Sequence, residues 1–169
     1  MWVGSIRVRV RTKAASTAST DSPVIAAIMR DNIALYAFFL NPEFRTFARP
    51  NLEISSGTDR DFFQYSLPKS SDSPAPDEPV GQPPYGLEFA KGLADHCTLK
   101  LRIFGNDLWI TDEVELLIRE LYPVHLPETS HAFTWVEEAN WKSVGLWSKD
   151  IRISTDTSEG FAIVNFNVK

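Results

Sequence analysis

The residues best suited to nucleophilic or acid–base chemistry are Asp95, His96 and Cys97, which are consecutive in the sequence. An imidazole beside a thiol is the arrangement that activates a cysteine nucleophile. On a strand, however, neighbouring side chains point to opposite faces, so His96 and Cys97 would not contact each other directly. The sequence therefore predicts that Cys97 packs as a small apolar residue at the start of a strand.

The remaining two histidines, His125 and His131, lie six residues apart in a proline-containing stretch. A zinc site needs three or four ligands, and no cysteine pair accompanies these two. The phosphate-binding loop, the Gly-x-Ser-x-Gly elbow and the dinucleotide glycine pattern are all absent from the sequence. A small hydrolase-like enzyme using Asp95, His96 or His125 is kept as an alternative function, which a closed pocket joining a histidine to a carboxylate would support.

The bulk composition excludes some classes of function. A chain of 169 residues is long enough for one domain with a substantial core. Its net charge of −5 argues against general nucleic-acid binding, which requires clustered Lys and Arg. The longest apolar run, residues 33–40, is too short to span a bilayer. The single cysteine cannot form an internal disulfide, and residues 1–10 do not read as a signal peptide, so we expect a cytoplasmic location.

Two segments alternate apolar and polar residues with a period of two, which is typical of half-buried strands. In residues 5–11, isoleucine and valine alternate with Arg7, Arg9 and Arg11. Residues 98–104 alternate leucine and isoleucine with basic residues. The three arginines form a basic stripe, which we interpret as the solvated face of a sheet.

Other segments are open to two interpretations. Residues 24–29 and 33–40 are apolar throughout and flank a polar turn, which favours a hairpin over one helix capped by Ser22, because no polar face is present. Residues 112–122 fit both the helical and the strand period, so the sequence leaves this segment undecided.

The last third of the chain is predicted to be a C-terminal extension, residues 123–169, of a single domain that covers residues 1–169. Residues 123–130 are expected to form a linker. Residues 149–154 and 161–168 are expected to form a terminal hairpin around a polar turn. Upstream, residues 68–84 hold six of the eleven prolines together with serines and acids, and this composition predicts an exposed, partly disordered insertion.

Four segments in order resemble a PLAT (lipoxygenase-homology, LH2) domain. They are residues 6–12, the turn at 19–24, residues 57–63 and residues 99–116. The last ends in Trp109-Ile110-Thr111-Asp112-Glu113-Val114-Glu115-Leu116, which is similar to the family's Trp-Phe-Leu-Asp-x-Val-x-Val strand. The resemblance covers roughly residues 5–118, and Ser19 stands where the family has a turn glycine. It implies a mainly β fold, an antiparallel two-sheet β-sandwich, and a strand in the first half of residues 112–122.

The resemblance also implies a non-catalytic module that binds a protein partner or a lipid surface through loops at one end of the sandwich. Those loops carry Asp21, Asp59, Asp107 and Trp109. Asp21 and Asp107 would be the first ligands of a bound Ca²⁺, with Asp59 or Asp61 as a further oxygen ligand. A protein partner is preferred over peripheral lipid contact, because the negative net charge disfavours anionic membranes.

Trp135, Trp141 and Trp147 recur at intervals of six residues, which matches neither a helix nor a strand period. Exposed tryptophans stack on sugars or anchor protein partners. Carbohydrate binding is therefore a further alternative, and it would require two of these indoles to be exposed in one plane.

Overall fold

The computed structural model describes residues 1–41, 53–69, 83–89, 92–93, 96–126 and 133–168. Asp95, His131 and most of the proline-rich insertion (residues 70–82) lie outside the described residues. Within the described ranges the chain forms ten strands and no helix. The strands are β1 (Trp2–Thr12), β2 (Val24–Arg30), β3 (Ile33–Phe39), β4 (Asp59–Gln64), β5 (Leu87–Glu88), β6 (Cys97–Ile103), β7 (Trp109–His125), β8 (Phe133–Glu137), β9 (Lys142–Ile153) and β10 (Ile163–Asn167).

The first sheet is built on the two long strands β1 and β7, which pair antiparallel with Ile6 opposite Ile118. The other side of β1 pairs with β5 at its beginning and with β4 over the rest of its length. The other side of β7 pairs with β9 first and then, near its end, with β8. The sheet is therefore four strands wide, because β4 and β5 share one edge and β8 and β9 share the other.

The second sheet has the order β10-β6-β2-β3, and all its pairs are antiparallel. The two sheets pack face to face, and the apolar positions of each alternating strand point into the shared core. Val8, Val10 and Leu116 from the first sheet are fully buried there, as are Leu99 and Leu101 from the second. Each such side chain stabilises the fold by about 1.5–3 kcal/mol through removal of apolar surface from water.

The predicted fold class is confirmed, since the described residues form two stacked antiparallel sheets. The hairpin predicted around residues 30–32 is also confirmed. Asp31 and Asn32 both have positive φ, 48° and 69°, and Arg30 pairs with Ile33. This is the geometry of a two-residue type I′ turn, in which asparagine and aspartate are favoured.

Residues 112–122 lie entirely within β7. The helical spacing of its apolar residues is coincidental, because pairing on both sides with β1 and β9 dictates an extended backbone. The predicted linker at 123–130 is wrong in its first part. β7 continues through Pro123 to His125 and pairs with β8. Residues 122–126 are exposed, so strand pairing rather than burial maintains this ribbon.

The predicted terminal hairpin is wrong. β9 pairs with β7 in the first sheet, whereas β10 pairs with β6 in the second. The chain between them crosses from one sheet to the other, and a single parallel bridge joins Ile153 to Phe161. Ile153 of β9 and Phe166 of β10 are both buried. Because their strands belong to opposite sheets, the two side chains pack into the shared core from its two sides. Among the described residues there is no helix long and apolar enough to cross a membrane.

Candidate binding site at the loop end of the sandwich

The chain segments between β1 and β2 and between β6 and β7 meet at one end of the sandwich. Together they border an open depression of about 710 Å³. Its lining is polar apart from Leu108, and otherwise consists of serine, threonine and asparagine together with acidic residues. The charged residues among its lining are Asp21, Glu53, Asp107 and Glu159, and the described residues contribute no Lys or Arg to it.

The carboxylate of Asp107 connects the two segments, because it binds the segment between β1 and β2. Its Oδ2 accepts a hydrogen bond from the Asp21 backbone N–H (3.2 Å) and another from the Thr20 hydroxyl (3.4 Å). The Thr20 Oγ1 in turn accepts from the Ser22 N–H at 3.0 Å. These bonds join residues 86 positions apart in sequence and hold the turn into β2 against the turn into β7.

A buried asparagine, Asn41, also holds the turn that leads into β2. Asn41 accepts from the Val24 N–H through Oδ1 (2.9 Å) and donates from Nδ2 to the Ser22 carbonyl (2.8 Å). Gly105 lies so close to Ser22 that a Cβ there would stand 2.1 Å from the Ser22 Oγ. Sequence reasoning did not find Asn41, because an asparagine after an apolar strand has no local signal for a partner 17 residues away.

The two aspartates of this end perturb each other's titration. The pKa of Asp21 is raised, first because its protonated carboxyl would donate a hydrogen bond to Asp107 and then because of partial desolvation. The pKa of Asp107 is lowered, first by that same bond and also by the Asp21 backbone, Ser22 and Thr20. Asp107 is thus the anion that the loops hold, and Asp21 is the group that takes up a proton more readily.

Replacement of Asp21 with asparagine is expected to stabilise the protein near neutral pH. Because the folded chain binds the Asp21 proton more tightly, the stabilisation from that proton is present at low pH and is lost as the pH rises through the folded-state pKa. Asparagine supplies a donor to Asp107 at every pH. The expected gain at about pH 7 is a few tenths of a kcal/mol, since Asp21 is largely exposed. It should shrink towards about pH 4.

Thermal unfolding of the Asp21→Asn variant at both pH values measures this effect. The matched control is Asp59→Asn, which removes an ion-pair partner of Arg11 instead of a like charge, and which should not stabilise. A gain of equal size in both variants would show that the Asp21–Asp107 contact is not its source.

The predicted site residues divide into two groups. Asp21 and Asp107 do meet at the loop end. Asp59 begins β4, bonds to Arg11 at 2.9 Å and does not line the depression, and Asp61 bonds to Arg9 on the outer face of the first sheet.

Trp109 requires a correction. It was predicted to lie on the binding loops, but its side chain is fully buried and its indole N–H donates to the Thr12 hydroxyl at 3.1 Å. Trp109 is the first residue of β7 and belongs to the apolar cluster between the sheets, so the indole lies in the core and not on the loop surface.

Ca²⁺ coordination requires six to eight oxygen ligands. In the part of the chain that the structure describes, no group of three or more His, Cys, Asp or Glu is placed so that it could hold a metal ion. The oxygens that do come together are those of Asp21 and Asp107, with the hydroxyl of Thr20 beside them. These are the residues that would begin a Ca²⁺ shell at this end.

Two of the residues considered for catalysis, His96 and Cys97, lie at the opposite end of β2. His96 Nδ1 is 3.5 Å from Asp31 Oδ1, but both side chains are largely exposed, at 77% and 63%, in an open depression rather than a closed pocket. Burial raises the pKa of the Cys97 thiol to about 11, which keeps it protonated at neutral pH. His125 is exposed and packs edge-on against Phe133.

The three tryptophans of the last third lie in three separate clusters. Trp135 packs edge-on against the buried Trp2, and Trp147 packs against Phe166. Trp141 contacts Phe63 and a second exposed ring. Two indoles in one exposed plane, which the carbohydrate alternative requires, do not occur among these three.

No protein-family model matches the chain, and a search of the curated proteins finds no match. The class of protein is therefore defined by its fold and by the geometry of its loop end. The protein is an antiparallel two-sheet β-sandwich with an acidic depression at one loop end.

Proposed function

We propose that the protein is a binding module without catalytic turnover, and that it engages a protein partner through the loop end of the sandwich. The observation that carries this proposal is the convergence of two loops, distant in sequence, on an open depression whose charged lining is acidic throughout the residues that the structure describes. The partner residue that suits it best is an exposed lysine or arginine.

The chemistry of the depression supports a cationic group. Carboxylates and hydroxyls are hydrogen-bond acceptors for an ammonium or guanidinium, and charge-assisted bonds of this kind are about twice as strong as neutral ones. A cation would also relieve the repulsion between Asp21 and Asp107. The resemblance of the sequence to PLAT domains implies binding through loops at one end of the sandwich, which also supports this proposal.

Peripheral lipid contact is the second reading. Among the described residues, the depression offers carboxylates and a single apolar lining residue, Leu108, which is partly buried. A membrane surface would require exposed apolar tips or a polybasic patch, or Ca²⁺ bridging between the carboxylates and anionic lipid. The protein partner is therefore preferred.

Fluorescence anisotropy with a labelled octa-arginine peptide at low ionic strength tests the proposal. We expect saturable binding that weakens about tenfold or more in the Asp21→Asn/Asp107→Asn variant, because two charges close to the ligand are lost. Asparagine keeps an acceptor oxygen at position 107, so the loop should stay closed. Asp31→Asn, which neutralises an exposed acid at the opposite end, is the matched control and should bind as the wild type does.

Equal binding by all three proteins would refute the loop end as the site. Co-sedimentation with vesicles containing phosphatidylserine, with and without Ca²⁺, addresses the lipid reading. We expect no pelleting in either condition. Pelleting only with Ca²⁺, abolished by the same double variant, would transfer the function from a protein partner to a lipid surface.

A further inference from the structure

A cluster of three aromatic and two basic side chains lies on the outer face of the first sheet. Phe63 and Tyr65 lie in and just after β4, and Arg7 is directly opposite Phe63 on β1. Arg119 is the next outward-facing position on β7 after Leu117, which pairs with Arg7. Trp141 immediately precedes β9. We call these five residues the aromatic–arginine patch.

The three rings of the patch do not lie in one plane. Phe63 and Tyr65 are parallel, with centroids 5.8 Å apart. Trp141 leans across both, at 5.9 and 6.1 Å, and is tilted by 53° and 59°. Phe63 and Tyr65 keep 42% and 54% of their surface exposed, which is high for large rings that lie side by side. Trp141 also borders a shallow depression of about 280 Å³, whose other lining residues are Glu120, Glu138, Asn140 and Lys142.

The arginines of the patch are held against these rings. The Arg7 guanidinium lies 4.9 Å from the Phe63 centroid, and the Arg119 guanidinium lies 4.6 Å from that of Trp141. These are cation–π distances, and they restrict each guanidinium to few orientations.

The two arginines differ in their ionic partners. Arg7 pairs with Asp61, which also pairs with Arg9. Arg119 forms no salt bridge or hydrogen bond with any residue that the structure describes, and its Nε is buried without a hydrogen-bond partner. Three other basic side chains of this sheet form salt bridges, namely Arg9 with Asp61, Arg11 with Asp59 and Lys142 with Glu120. Arg119 is thus an oriented cation with unused donors beside exposed rings.

We propose that the aromatic–arginine patch binds an acidic, proline-containing segment of a partner protein. A carboxylate of the segment accepts hydrogen bonds from Arg119, because a guanidinium fork matches a carboxylate. Prolyl rings of the segment pack on Tyr65 and Phe63, because aromatic surfaces recognise proline-rich chains whose extended conformation costs little entropy. The patch requires a ligand of the opposite charge to the one proposed for the loop end, so the two sites would take different ligands.

The two sites are also separate in space. β1 runs from the patch to the loop end, and the six steps along the chain from Arg7 to Lys13 span about 20 Å of extended backbone. A variant at one site should therefore leave binding at the other unchanged.

The test is fluorescence anisotropy with a labelled dodecapeptide of alternating proline and glutamate. The expected result is saturable binding that weakens about fivefold to tenfold in Arg119→Gln and in Tyr65→Ala, which correspond to one surface ion pair and one ring contact. Arg11→Gln, on the same face and strand as Arg7 but outside the patch, is the control and should bind as the wild type does. Peptides of alternating proline and glutamine, or glycine and glutamate, should bind more weakly than the probe.

Tyr65 is more than half exposed, so its variant is expected to fold, and circular dichroism of each variant verifies this. Unchanged affinity in both Arg119→Gln and Tyr65→Ala, or no detectable binding to the wild type, would overturn the proposal. Equal affinity for the glycine–glutamate peptide would overturn the role of the rings. Binding of a sulfated oligosaccharide through the same residues, with no binding of the peptide, would replace the protein ligand with a glycan.

Discussion

Replacing Trp109 with alanine is expected to lower the free energy of unfolding by about 3–5 kcal/mol, one of the two largest effects we predict for a single substitution. The indole is fully buried at the start of β7 and is the largest of the completely enclosed side chains. Its removal leaves a cavity between the sheets and deprives the buried Thr12 hydroxyl of a donor at 3.1 Å. Urea unfolding followed by far-ultraviolet circular dichroism measures the loss.

Two further variants separate the contributions of Trp109. Trp109→Phe keeps an aromatic ring and loses the N–H, so its cost should be smaller than that of alanine. Phe161→Ala removes a ring that is 72% exposed and should change stability by no more than about 0.5 kcal/mol. A Trp109→Ala variant as stable as Phe161→Ala would mean that the indole does not lie in the core.

Replacing Asn41 with alanine is expected to cost about 2–4 kcal/mol, because it orphans two buried backbone groups at once. These are the Val24 N–H and the Ser22 carbonyl, which the Asn41 amide bonds at 2.9 and 2.8 Å. The loss should also loosen the turn that carries Asp21, so binding of the basic peptide at the loop end should weaken together with stability. Urea unfolding and the anisotropy titration measure the two effects.

Aspartate at position 41 is the diagnostic second variant. At acidic pH the new carboxyl is neutral, accepts from the Val24 N–H and offers an O–H donor to the Ser22 carbonyl, so its cost should lie between those of the wild type and alanine. At neutral pH the ionised carboxylate has no donor for Ser22, so the cost should rise. Asn165→Ala, at an exposed position of β10, is the matched control and should be close to neutral. If Asn41→Ala were equally neutral, another group would have to satisfy the turn.

Local patterns were sufficient to predict most of the strands. The alternation of residues 5–11 predicts one buried and one solvated face, and the structure places Val8 and Val10 inside with Arg9 and Arg11 outside. The arginines outside are neutralised by acids of β4 and β7, which agrees with their interpretation as a solvated face. Such predictions succeed because the period of a strand depends only on the backbone.

Predictions that depend on partners distant in the chain were less successful. The sequence around Trp109 does not reveal that its indole is inside, because burial follows from β1 and β9 lying on either side of β7. The segments of the expected terminal hairpin are close in sequence, yet they join opposite sheets, since each has a longer partner strand elsewhere.

The sequence by itself determined the positions of most strands and the hairpin around residues 30–32, because these follow from side-chain periodicity and local turn preferences. The two-sheet sandwich was expected from the resemblance to PLAT domains. Only the tertiary structure decided which acids meet. Asp21 and Asp107 come together, whereas Asp59 turns to Arg11, and Arg119 gains aromatic neighbours from strands far away in the chain. The physical reason is that a binding surface is a property of strand order and register, which are set by burying the core as a whole.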